Sequence, residues 1–137
     1  MIFRNDAHRA FYEQRIEELQ VHSGRKADCY LQALVYTLGI CDDTRKRFDD
    51  MYDKAERSII PGTIYAAWQT DGSRKTTRLA FNLFTGRTPT ALTYDEASNK
   101  VTEDFDECRK YSVSDIFCCG FAPYFVEAIK IRYPEYM

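Results

Sequence analysis

Five cysteines and two histidines are the side chains in this chain most capable of metal or nucleophile chemistry. A structural zinc ion takes four N or S ligands, mostly in close pairs such as C-x2-C. Here Cys118 and Cys119 are adjacent, Cys29, Cys41 and Cys108 are scattered, and neither His8 nor His22 has a cysteine at ligand spacing. The spacing predicts no metal, and reads the cysteines as small buried hydrophobes. Cys119 sits before Gly120 and close to the start of the last helix, where a helix N-terminus lowers a thiol pKa. It would need a base, and nothing in the sequence brings either histidine to it. There is no G-x-x-x-x-G-K-[ST] and no G-x-G-x-x-G. Gly72-Ser73-Arg74-Lys75 resembles a glycine turn opening an anion-binding helix, but capping accounts for those residues fully. Asp42-Asp43 and Asp49-Asp50 are explained by capping and solvation. No catalytic set and no cofactor motif assembles, so the sequence leans away from an enzyme.

The chemistry that remains is recognition. Lys75, Arg78, Asn82 and Thr85 recur at spacings of three and four, which places them in one polar stripe of a helix. Arg74, Lys75, Arg78 and Arg87 would form a local basic patch, with Tyr65 and Trp68 close in sequence. Trp68, Arg74, Lys75, Arg78, Asn82 and Arg87 are therefore the candidate partner-binding residues. The alternative is an ordinary solvated edge, and Asn82 also suits a structural hydrogen bond to neighbouring backbone. Phosphate contacts from such a patch would be strongly salt-dependent. The formal net charge of −2 argues against a dedicated nucleic-acid binder.

Positioning that stripe requires a rigid helix. Asp71 and Gly72 form turns, Ser73 is a good N-cap, and Gly86 can enter the left-handed region as a stop. Between them Thr76, Leu79, Ala80, Leu83 and Phe84 share a face that Phe81 and Thr77 widen. A helix apolar over so much of its surface is buried on several sides. It is expected to be the central helix of the domain.

The other elements follow from period and punctuation. Asn5 or Asp6 caps a first helix to about Val21, with Phe11, Tyr12, Ile16 and Leu19 inward. A second helix, about Lys26 to Leu38, is nearly all apolar, is closed by Gly39, and is expected to pack on the central one. Asp42 or Asp43 caps a third, about Thr44 to Arg57, with Phe48, Met51, Tyr52 and Ala55 inward. Pro61 starts a short helix reaching Trp68. Residues 91–95 and 100–105 flank Ala97-Ser98-Asn99, either as a small β-hairpin or as an extended excursion. The acidic run Glu103 to Glu107 reads as solvated surface. Ser112 caps a short helix to Cys119, and Pro123 opens the last, with Phe125, Val126, Ile129 and Tyr133 inward. The expected fold is mainly α: a compact single-domain bundle of about six helices with a small β-hairpin insertion.

The 137 residues suit one domain, and 45% hydrophobic with 29% charged residues is a globular composition. Tyr and Trp, within an aromatic content of 15%, are residues that also mark interfaces. The chain turns polar at once after Met1-Ile2-Phe3, and no apolar run approaches the ~20 residues of a membrane span. With an odd cysteine count, reduced thiols in a cytoplasm are expected.

Trp68-Gln69-Thr70, Ser73, Arg78-Leu79-Ala80-Phe81-Asn82-Leu83-Phe84 and Gly86 carry a resemblance. They are similar to the core of an uncharacterised family of small proteins from Gram-positive anaerobes, and Glu127-Ala128-Ile129-Lys130-Ile131-Arg132-Tyr133 resembles that family's ending. The region from Pro89 to Lys110 is longer than the family pattern. The resemblance implies a helical fold and a genomic setting near mobile elements, and implies no reaction. The functional expectation is a non-enzymatic, intracellular protein-interaction module acting on a protein partner. The alternative is a mobile-element accessory protein contacting nucleic acid or a nucleoprotein defence complex.

Overall fold

The computed structural model describes residues 1–137, which form eight α-helices and two separate two-stranded antiparallel hairpins. Helix α1 (Asp6–Ser23) starts where the Asn5 side chain accepts from His8 N–H, and stops at Gly24, whose φ of 68° is left-handed. Helix α2 (Cys29–Ile40) is capped by Asp28, which accepts from Leu31 N–H. Short helices α3 (Asp42–Lys46) and α4 (Phe48–Met51) lead into strands β1 (Tyr52–Asp53) and β2 (Ser58–Ile59), followed by a 3-10 turn at Pro61–Tyr65. Helix α5 (Asp71–Thr85) opens on a reciprocal capping box between Thr70 and Ser73 and ends at Gly86, φ 69°. A 3-10 turn at Pro89–Ala91 precedes strands β3 (Leu92–Asp95) and β4 (Lys100–Glu103). Helices α6 (Phe105–Arg109), α7 (Val113–Ile116) and α8 (Ala122–Arg132) complete the chain, with a last 3-10 turn at Pro134–Tyr136.

Helices α2 and α5 pack on each other at the centre, and α2 also carries α1 and α8. Every residue of α2 from Ala33 to Ile40 is buried. One apolar cluster takes Leu34, Val35 and Leu38 of α2 with Ala80 and Phe81 of α5, under Phe11, Phe48 and Met51. The opposite cluster takes Ala33, Tyr36 and Ile40 with Leu79 and Leu83, under Ile116, Phe125 and Ala128. The two helices thus have apolar side chains on both flanks, which explains the near-continuous hydrophobic run of α2 and the wide apolar face of α5. Every buried side-chain nitrogen and oxygen has a hydrogen-bond partner. No helix is long and apolar enough to cross a membrane.

The mainly helical architecture agrees with the sequence, with eight helices in place of about six. The expected helix from Thr44 to Arg57 is broken. Asp53 Oδ1 accepts from Ala55 and Glu56 N–H, so its side chain offers the backbone a turn in place of helical bonding. Ser73 is the third residue of the central helix, not its cap; Thr70 does that work. Val126, expected inward on α8, is exposed. The residues around Ala97-Ser98-Asn99 form a hairpin, with Leu92 opposite Glu103 and Tyr94 opposite Val101.

Gly39 is inside α2 and does not close it. A Cβ there would lie 2.7 Å from Phe11 Cδ1 and 2.8 Å from His8 Cδ2. Only a glycine lets α1 lie this close to α2. Gly39→Ala is expected to cost about 1–3 kcal/mol in urea unfolding, because two packed rings must shift. A midpoint equal to the wild type would mean the helices part freely there.

Candidate functional site

The polar stripe of α5 is held by a network that runs through residues far away in sequence. Arg78 Nε donates to Glu107 Oε1 at 2.7 Å and Nη2 donates to Oε2 at 3.3 Å, with both side chains under a tenth exposed (9% and 6%). Thr90 Oγ1 donates to the same Oε1 at 2.8 Å, and Tyr111 Oη accepts from Thr90 N–H at 3.2 Å. Tyr65 Oη donates to the Thr90 carbonyl at 3.4 Å. Burial pushes the Glu107 carboxyl up. Hydrogen bonds from Arg78 and Thr90, with the charges of Arg78 and Lys110, outweigh it and hold Glu107 below the usual carboxylate range. This corrects the expectation that residues 103–107 are all solvated: Glu103, Asp104 and Asp106 are exposed, and Glu107 is the internal partner of α5. A second chain of bonds runs along the same helix: Gln69 Nε2 donates to Thr77 Oγ1 at 3.2 Å, and Ser73 Oγ donates to Gln69 Oε1.

Lys75 Nζ donates to the Cys118 carbonyl at 2.9 Å and lies 3.5 Å from Asp71. Arg74 Nε donates to the Ile64 carbonyl at 3.3 Å. Asn82 Nδ2 donates to the Arg87 carbonyl at 2.9 Å, closing the end of α5. Trp68 is half-buried against the first apolar cluster, with the Arg47 guanidinium 6.0 Å above its ring. Arg87 is exposed. Arg74, Lys75, Arg78 and Asn82 therefore bind α5 to its own neighbours, and Arg87 stands apart at the helix end.

His8 is fully buried against Tyr36, whose carbonyl takes its Nε2 at 2.7 Å, while Nδ1 accepts from Arg4 N–H at 3.1 Å. Burial lowers its pKa to about 4; the Tyr36 bond raises it, and the charges of Arg45 and Arg4 lower it further. Both ring nitrogens are occupied, so His8 does not serve Cys119 as a base. The Cys119 thiol is directed at the Ile116 carbonyl at 3.7 Å. No group of three or more His, Cys, Asp or Glu side chains converges as a metal cage.

One feature of the surface was absent from the sequence expectations. Leu92, Tyr94 and Val101 share one face of the β3–β4 hairpin, and all are exposed (45%, 57% and 63%), as is Phe105 just beyond it (74%). No third strand joins this sheet. The alternation Leu-Thr-Tyr-Asp was visible as a strand signal, but periodicity does not say whether the apolar face finds a lid. The buried Arg132, whose Nε donates to the Leu83 carbonyl at 2.9 Å beneath the Tyr30 and Tyr133 rings, had no local signal either.

No curated protein and no solved structure matches this chain. The model of one family, DUF6075, matches residues 1–137, and the chain therefore belongs to this family of unknown function.

Proposed function

We propose that this protein is a non-enzymatic protein-interaction module that docks a basic partner segment on its β3–β4 hairpin. The observation that carries this is the exposed face of Leu92, Tyr94 and Val101, continued by Phe105. An isolated two-stranded sheet is marginal in water, and an added strand or covering segment would bury that face. Four carboxylates, Asp95, Glu96, Glu103 and Asp104, against one lysine, Lys100, give residues 92–104 a net charge of −3, so the complementary partner is cationic. The Arg78–Glu107 pair of α5 holds the base of the hairpin, and Arg87, exposed at the end of α5, stays outside a contact made to a cationic partner. In this role Trp68, Arg74, Lys75, Arg78 and Asn82 are the scaffold behind the surface. The nucleic-acid alternative needs the same arginines free, and the Arg78 guanidinium is already matched to Glu107. A cytoplasmic setting among mobile elements fits either role.

A photo-crosslinking residue at position 94 in host cells is expected to trap a discrete protein that position 113, also exposed but off the hairpin, does not. Exchanging Asp95, Glu96, Glu103 and Asp104 for their amides should weaken the adduct several-fold. Equal labelling from positions 94 and 113, or an adduct indifferent to those charges, defeats the proposal.

A further inference from the structure

We propose a separate ligand site: the groove between the end of α1, the start of α2 and the β1–β2 turn binds a small phosphate ester with a flat ring, of the mononucleotide class. This site shares no residue with the hairpin surface and does not depend on that reading.

Of the twelve arginines, nine pair with carboxylates, donate to backbone carbonyls or lie over aromatic rings. Arg25, Arg57 and Arg87 do none of these, and two of the three, Arg25 and Arg57, line one groove. Lys26, also without an ion pair, stands on the same rim. An adjoining hollow shares Arg25 and Arg57 and adds His22 and Lys54.

Arg57 is held there against its own backbone preference. Its φ of 52° is left-handed, a conformation in which glycine is at ease and an L side chain is strained. The four-residue connection from Asp53 to Ser58 ends on this position, where glycine or asparagine would close the turn without strain. Strain of this kind persists where a side chain is needed for something other than folding.

The floor is apolar. Tyr52 and Phe84 meet edge to face, 5.9 Å between centroids at 84°, with Leu31 beside them. The groove encloses about 440 Å³, within the ~300–1,000 Å³ of small-molecule sites. Two carboxylates also face it. Asp28 Oδ1 is committed to Leu31 N–H at 2.9 Å. Glu56 has no side-chain partner, and is an acceptor for a ligand hydroxyl or amino group. A dianionic phosphate can engage the arginine forks bidentately, a ring can lie on the aromatic floor, and a sugar hydroxyl or ring amine can meet Glu56.

The test is a titration of the full chain with adenosine monophosphate, followed by amide chemical shifts. Adenosine and inorganic phosphate are titrated as its two halves. The expected result is a dissociation constant below about 1 mM, with shifts confined to residues 24–28 and 54–58 and to the floor residues Leu31, Tyr52 and Phe84, and each half binding at least about tenfold more weakly. Arg57→Gly relieves the left-handed strain, so its melting temperature should rise while its affinity falls at least about tenfold. A variant that is more stable yet does not bind cannot have lost the ligand by misfolding. Arg25→Gln, outside any regular element, should weaken binding in the same direction. The proposal is overturned by no shifts at ten-millimolar probe concentrations, by shifts elsewhere, by phosphate alone matching the nucleotide, or by Arg57→Gly binding as well as the wild type.

Discussion

Glu107→Ala is expected to lower the unfolding free energy by about 3–5 kcal/mol, the largest effect of any single polar substitution in this chain. The variant leaves the Arg78 guanidinium, only 9% exposed, without its counter-charge, and strips Thr90 Oγ1 of its acceptor. A solvent-exposed ion pair would give a fraction of that, because water replaces the lost partner at little cost. Here the pair ties α5 to the segment that carries the β3–β4 hairpin, across 29 residues of sequence. The loss should therefore be local first: amide exchange in residues 87–111 should quicken before the α2–α5 core opens. Replacing both partners, as Arg78→Met with Glu107→Leu, should recover much of the stability, since the cost lies in the orphaned charge rather than in the missing pair. Urea unfolding of the single and double variants decides the matter. A single variant within 1 kcal/mol of wild type, on the scale of an exposed pair, would mean that water reaches Arg78 and that the network is not sealed.

Acid should destabilise the protein in two distinguishable windows, and the first belongs to His8. Its folded pKa is lowered to about 4 from 6.5, chiefly because burial disfavours the imidazolium. The folded state therefore binds its proton later than the unfolded state does. Stability is complete above pH 6.5 and declines as the pH falls toward 4, by about 3 kcal/mol in all. Glu107 acts lower: its carboxyl is depressed below the ordinary carboxylate value of 4.5, so its contribution is present above that pH and drains away beneath it. Urea midpoints between pH 7 and pH 5 isolate the histidine. His8→Leu should flatten that part of the profile while leaving the decline below pH 4.5 in place. The Tyr36 carbonyl stays within helix α2, so this variant removes the titrating ring without opening the helix. A wild-type profile already flat from pH 7 to pH 5 would mean that the ring is protonated inside the fold.

Much of the scaffold was legible because its signals are local. The helix ends at Gly24 and Gly86 coincide with left-handed glycines, and the wide apolar faces of α2 and α5 do lie back to back. Where sequence spacing misled, a competing local interaction or a distant neighbour had won. Asp53 diverted the third helix into a turn, and Gly39, read as a stop, proved to be a seat for Phe11. The stripe Lys75, Arg78, Asn82 was placed on one side of its helix by period alone. That period carries no information on what the side chains meet. Glu107 sat in an acidic run that looked uniformly wet, and only one member of the run turned inward.

Local pattern was enough to establish a mainly helical chain, the apolar pair at its centre, and the residue types available for recognition. These are consequences of periodicity, capping and turn chemistry, which act over a few residues. Which charges are spent and which are free was fixed by packing. It joined Arg78 to Glu107, buried His8 against Tyr36, left the hairpin's apolar face bare, and gathered Arg25, Lys26 and Arg57 on one rim. The physical reason is that burial and charge pairing are set by groups far apart along the chain, and those distances exist only once the helices have packed.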